Sequence, residues 1–504
     1  MSQRKNQISV GIILSYLQYL VSAIIGIGYV PVLINKLSTS EYGIYQLMGS
    51  FMAFLTVLDL GMSGTVTRYY AKYDSSGTEE AKENFLAIAR NVYIAIGTAT
   101  LILGSVFYFF IDNIYNKGLS IAELQQVKQI YLLLLLNAVF VIWSNFYSSI
   151  LQAIERFLAV KLLLLIRTLI LPIITILVIS IEPRVYWIYF IQLCMSFVLL
   201  LSYYLCGRYR YHIRIKYHGF DIQIIRELFS YSFLMLLNIV VDELYWSTDS
   251  MILGAVKGTV EVAVYGTASL IVSQYRAFAS VIHGIFLPRL TKIMDCQDND
   301  HNMLVNRIFI SISKIQFFIA SLILTGFIIF GQEFVRIWAG NGYEDVYILA
   351  LVPMAALLIP LSQSICLSIL RACNKQKFRA YLYVALAVLN VGLSIPMCHI
   401  LGGLGCVLVT ALFLVFGNVV IMNIYYSKAI KLDIRKFYVS VIAKSGAISI
   451  TLLLLGMFIN FRFCITERIG VLIIKIFIYT IIYTLIFYKT LITQEDKSIL
   501  IGRI

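Results

Sequence analysis

The feature that most limits this chain is the recurrence of apolar stretches about twenty residues long, from one end to the other. A helix rises ~1.5 Å per residue, so each stretch can cross the ~30 Å hydrocarbon core of a bilayer. Within lipid every backbone N–H and C=O must be satisfied inside the protein, which leaves helices or a closed barrel. The stretches are continuous rather than alternating every second residue, which argues against a barrel. A soluble fold of 504 residues would need polar surfaces that a composition 60% hydrophobic and 13% charged cannot supply. The expected fold class is an all-α polytopic membrane protein.

Fourteen spans are expected, at about 8–30, 44–66, 85–111, 128–149, 161–181, 185–205, 229–255, 262–285, 307–331, 346–366, 379–399, 404–426, 438–459 and 469–489. The first lacks a small-residue cleavage site and reads as an uncleaved spanning helix rather than a signal peptide. With the N-terminus placed in the cytoplasm, most of the 40 Lys and Arg fall in cytoplasmic segments, as in GRYRYHIRIK (Gly207–Lys216) and RACNKQKFR (Arg371–Arg379). Both termini are then cytoplasmic. The net charge of +14 reads as orientation, and no nucleic acid partner is expected. No loop is long enough to hold a soluble catalytic domain. The eight cysteines make neither a metal pattern nor a disulfide framework.

Two stretches resemble each other. STSEYGIYQL (Ser38–Leu47) and GTVEVAVYGTASL (Gly258–Leu270) align Glu41 and Tyr45 with Glu261 and Tyr265. Six spans separate them, so the two halves share one orientation. This suggests a parallel repeat of two six-helix bundles, 1–216 and 217–430, followed by an extra pair of spans in 431–504.

Charges inside spans carry the functional information, because each is costly unless it meets a partner or an aqueous cavity. In NIVVDELYWSTDSMILG (Asn238–Gly254), Asp242 and Asp249 are seven apart and share one face of a continuous helix. Tyr245 and Trp246 lie on that side, and Glu243 is turned about 100° away. The acids either bridge to a neighbouring helix or face a cavity. Arg276, in the next span, either pairs with them or binds an anionic substrate, since guanidinium forks suit phosphate oxygens. His283, one helical heptad on, reads as a capping or packing residue. Arg90, Arg167, Lys314 and Lys444 lie about one and a half turns inside their cytoplasmic ends. Snorkelling accounts for each singly. As a group they can line a positive vestibule, with Arg167 and Lys314 the stronger candidates because they fall inside the two bundles. Lys475 is similarly placed at an outer end. Asp59, beside Gly61 and Gly64, reads as structural. Pro172, Pro353 and Pro360 are sites for bends.

PVLINKLSTSEYGIYQL (Pro31–Leu47), LDLGMSGTVTRYYAKY (Leu58–Tyr73), STDSMILG (Ser247–Gly254), VAVYGTASL (Val262–Leu270) and FLPRLTKI (Phe286–Ile293) together resemble the bacterial polysaccharide flippases of the multidrug/oligosaccharidyl-lipid/polysaccharide exporter superfamily. The resemblance implies alternating access, with a polyprenyl-diphosphate-linked oligosaccharide moved from inside to outside the cytoplasmic membrane. It implies a cationic cavity, for which Arg276, Arg167, Lys314 and Arg90 are the candidates. Tyr245, Trp246 and Tyr275 would then stack on sugar rings. Asp242, Asp249 and Glu243 would balance charge or take up a coupling H+ or Na+. Membrane lipids and other polysaccharide-assembly proteins would be partners, and no cofactor or catalytic residue is expected. A lipid II flippase remains an alternative. So does a drug/cation antiporter, although that needs a more acidic cavity. A membrane polymerase or ligase would need a long outer loop.

Overall fold

The computed structural model describes residues 18, 21–22, 24–280, 301–373, 375–462 and 469–491. These form helices and connections with no strand among them. Contacts divide the chain into two compact units, Met1–Ala263 and Val264–Ile504.

The first unit holds α1 (Ile24–Lys36), α2 (Thr39–Val57), α3 (Met62–Ser76), α4 (Glu79–Tyr115), α5 (Ile121–Ala153), α6 (Phe157–Ile181), α7 (Val185–Leu205), α8 (Ile222–Trp246) and α9 (Thr248–Val256). Short polar residues start the helices by accepting from otherwise unpaired N–H groups. Ser38 accepts from Glu41, Thr78 accepts from Ala81, and Ser120 with Glu123 forms a capping box. The α2–α3 joint needs left-handed backbone at Leu60 (φ 56°) and Gly61 (φ 68°). Glycine takes that conformation without penalty, and here a Cβ would also stand 2.7 Å from the Met235 side chain. α5 is the central element, packed on α2, α3, α4 and α7. One core joins Met62 and Val66 to Phe85, Tyr93, Phe146 and Leu228. After α7 a π-helical turn (Cys206–Arg210) leads into an extended basic segment. There Ile213 and Ile215 pack on that core, while Arg214 and Lys216 are exposed.

α10 (Thr259–Ser280) begins in the first unit and ends in the second. The second unit continues with α11 (His301–Ala339), α12 (Val346–Ser362), α13 (Ile365–Ala372), α14 (Lys377–Leu401), α15 (Gly403–Leu414), α16 (Met422–Ala429), α17 (Ile434–Phe437), α18 (Lys444–Arg462) and α19 (Ile469–Leu491). α15 and α16 join through a π-helical stretch, Val415–Ile421, as do α17 and α18 through Tyr438–Ala443. α12 and α13 meet at a 44° bend just past Pro360. Tyr479, Tyr483 and Phe487 line one face of α19, and the Tyr483 hydroxyl joins Ser321 (2.7 Å) to Ser449 (2.6 Å).

Eleven described helices are long and apolar enough to cross a membrane, and the bent α12–α13 pair makes a twelfth. Of the fourteen expected spans, the first and the eighth are described only in part, the eighth as a helix to Ser280, and neither enters that count. The expected boundary at 216/217 counts helices. The boundary after Ala263 follows contacts, because α8 and α9 pack on α2 and α4.

Candidate functional site

In the first unit, polar residues from four helices surround a cavity of about 240 Å³. Ser63 comes from α3, while Ser144, Asn145, Ser148 and Gln152 come from α5. α6 adds Lys161 and Arg167, and α7 adds Ser196 and Tyr203. Arg167 is half-buried and its Nη2 donates to Ser196 Oγ at 3.1 Å. Its Nε is buried and has no hydrogen-bond partner among the described residues. Asp59, 8% exposed at the α2–α3 joint, hydrogen-bonds Asn145 and the Ser63 backbone. Ser149 Oγ donates to Ser63 Oγ at 3.1 Å behind it. A guanidinium with an unused donor, an ammonium, hydroxyls and amides can hold a small anion.

Arg167 thus lies in a built polar cavity. Arg90 lies elsewhere, in a cavity of about 340 Å³ walled by Trp143, Phe146, Tyr147 and Phe197. α5 stands between the two, showing Trp143 and Tyr147 to one and Ser144 and Ser148 to the other. Sequence reasoning missed Lys161, Asn145 and Ser196. The available signal was the run of small polar residues on α5, Ser144, Asn145, Ser148 and Gln152, recurring at helical spacing inside an apolar span.

The acids of the seventh span have different surroundings. The helix is interrupted at Ser247, between α8 and α9, and the Ser247 hydroxyl donates to Glu243 Oε2 at 2.5 Å. The shared-face spacing of Asp242 and Asp249 assumed a continuous helix. Asp242 is exposed, whereas Asp249 is 0% exposed in the first turn of α9. Tyr245 is buried and Trp246 half-buried.

In the second unit Tyr275 is buried and its hydroxyl has no partner among the described residues, while Arg276 beside it is half-buried. Lys314 is half-buried on α11. Two residues on, Gln316 donates to Ser364 at 2.6 Å, and Gln363 donates to Asn423 at 2.8 Å, so buried amides fasten the α12–α13 bend. Lys475 lies 3.4 Å from both Glu333 oxygens and 3.2 Å from Asn460, which gives it a structural partner. His283 and the stretch Phe286–Ile293 lie outside the described residues.

A second pair of carboxylates ties helix starts together. Glu41 accepts from Gln126 Nε2 at 2.6 Å and from the Val185 N–H at 2.7 Å, joining α2, α5 and α7. Glu123 Oε1 accepts from Ser40 and from Thr259 (2.7 Å), while Oε2 accepts from the Ser120 N–H (2.8 Å) and hydroxyl (2.7 Å).

Many apolar helices, with ionisable side chains held in polar cavities inside a bundle, define a multi-pass membrane protein of the transporter type. The chain belongs to the polysaccharide biosynthesis protein family, whose model matches residues 9–294. A putative O-antigen transporter of Shigella flexneri is 21% identical over 406 residues, covering 77% of this chain and 90% of that one. In fold the chain is similar to the lipid II flippase MurJ in an inward closed conformation, with a TM-score of 0.74 and 18% identity, covering 96% of this chain and all of that one. It is also similar to an inward-facing multidrug resistance MATE family transporter of the MOP superfamily, with a TM-score of 0.65 and 12% identity, covering 81% and 95%. The family resemblance and the helical fold class read from the sequence are both borne out.

Proposed function

We propose that the protein is a flippase that carries a polyprenyl-diphosphate-linked oligosaccharide from the inner to the outer leaflet of the cytoplasmic membrane by alternating access. Family membership and the transporter relative support the class of activity. The observation that carries the chemistry is Arg167: a cation inside a spanning helix, in a polar cavity, with one donor still unused. Sugar and diphosphate cannot cross hydrocarbon unaided, and a fixed guanidinium can hold the diphosphate. Arg276 and Lys314 supply further cations, Tyr245, Trp246 and Tyr275 supply ring faces for the sugar, and Asp242, Asp249 and Glu243 balance charge or take up H+ or Na+. The transporting units in this reading are bundles 1–216 and 217–430, with 431–504 as an added pair.

The test uses proteoliposomes loaded with a fluorescent polyprenyl-diphosphate oligosaccharide and an impermeant quencher. The wild type moves the lipid, and Arg167→Gln, still folded, slows it by about 10- to 100-fold, as for the loss of a charge-assisted hydrogen bond. A wild type that fails with several glycans and imposed ion gradients defeats the proposal. The likeness to MurJ makes lipid II the second substrate to run in the same vesicles.

A further inference from the structure

We propose that the groove formed by α4, α5 and α7 is a binding site for an anionic phospholipid of the bilayer, gripped by Arg90 and Arg208. Two cavities adjoin there and share Arg90, Tyr147 and Tyr204. The larger, about 340 Å³, is walled by rings and aliphatic side chains. Its rim residues Ile94, Phe197 and Leu201 are exposed on helices that qualify as membrane spans. The smaller, about 150 Å³, has a mixed lining, in which the guanidiniums of Arg90 and Arg208 and the ring of Tyr204 stand among Ile150, Ile213 and Ile215. The pair reads as a slot for an acyl chain ending in a slot for a phosphate.

One observation argues against simple snorkelling of Arg90. Its Nε is buried and unpartnered among the described residues, although the residue lines both cavities. A snorkelling arginine would carry its donors to water. A guanidinium with an unused buried donor beside a second guanidinium calls for an acceptor-rich ligand, and phosphate and ester oxygens have no hydrogens to donate in return. Arg208 is exposed and already oriented, donating to Tyr204 at 3.0 Å. The groove faces away from the polar interior, because α5 turns its Ser149 side to Ser63 and Thr67 of α3.

Size selects the source of the phosphate. A pocket of about 150 Å³ is below the ~300–1,000 Å³ of sites that enclose drug-sized ligands, so it suits a small head group better than an oligosaccharide. The basic segment through Lys216 lies at this end, which sets the site in the leaflet beside the positively charged loops.

The test is lipid retention by the full-length protein, read by native mass spectrometry after purification in mild detergent with phosphatidylglycerol or phosphatidylcholine. Wild type keeps phosphatidylglycerol at least about tenfold better, the preference expected of charge-assisted bonds. Arg90→Gln with Arg208→Gln abolishes the preference. Leu201→Trp, which fills the groove and leaves both guanidiniums in place, lowers retention independently. Equal retention of the two lipids overturns the site. So does a folded double variant that still prefers phosphatidylglycerol. Displacement of the lipid by millimolar inorganic phosphate would make it a free-phosphate site. Displacement by a short polyprenyl diphosphate would make it part of the transport path. Either result rejects the phospholipid assignment.

Discussion

Glu333 and Lys475 show what an ionisable side chain needs inside an apolar bundle. Glu333 is 6% exposed on α11, and Lys475 reaches it from α19 with Asn460 as a third member. Breaking a buried pair costs more than forming it gains, because the remaining charge is stranded. Lys475→Met should lower stability by about 3–5 kcal/mol, and adding Glu333→Gln should restore most of that. Thermal melts of the two variants in one detergent check it, and a double variant no better than the single would show that the pair does not act as a unit. From the chain alone Lys475 looked like a residue near an interface, since nothing in its own neighbourhood names a glutamate 142 positions away. Arg167 was legible for the same reason in reverse: its depth in an apolar run is a local property, whereas its partner Ser196 is not.

The helices meet where glycine and carboxylate allow it. A Cβ on Gly43 would stand 1.9 Å from the Thr259 carbonyl oxygen, and one on Gly118 would stand 2.2 Å from that of Gly254. Gly43→Ala must therefore push α2 off the start of α10, at about 1–3 kcal/mol of overpacking, seen as a lower melting temperature. Glu123→Gln replaces an acceptor with a donor where Ser40, Ser120 and Thr259 all donate. It should lose about 1.5–3 kcal/mol, the worth of a hydrogen bond to a charged group, with Glu123→Asp intermediate. An unchanged melt for Glu123→Gln would mean that the hydroxyls simply reverse. Helix existence was plain from apolar length, and Pro360 announced its bend. The interruption at Ser247 was not legible, because no proline or glycine marks it and the last turn of α8 closes in the ordinary way, with the Ser247 N–H donating to the Glu243 carbonyl. The wide turns at Val415–Ile421 and Tyr438–Ala443 were not legible either, since Gly417, Asn418 and Ser440 within them are residues that a regular helix also tolerates.

At the scale of the molecule, composition decided the solvent, and loop charge is the ground for the orientation we propose. On that proposal, with both ends cytoplasmic, a green fluorescent protein fused to the C-terminus should glow and alkaline phosphatase fused there should be inactive. The opposite pattern would invert every side assigned above. The two compact units were less legible, since α8 and α9 belong by order to one half and by contact to the other. The carboxylate of Glu41 carries a consequence for how the chain is made. One of its acceptor bonds waits for Val185, 144 residues later in synthesis. At roughly 5–20 residues per second, the ribosome takes on the order of 7–30 s to deliver that partner. Gln126 reaches one oxygen of the glutamate earlier, but until Val185 arrives the other oxygen lacks its N–H donor. Nascent chains arrested before the sixth span should then be marked for degradation, and those arrested after it spared.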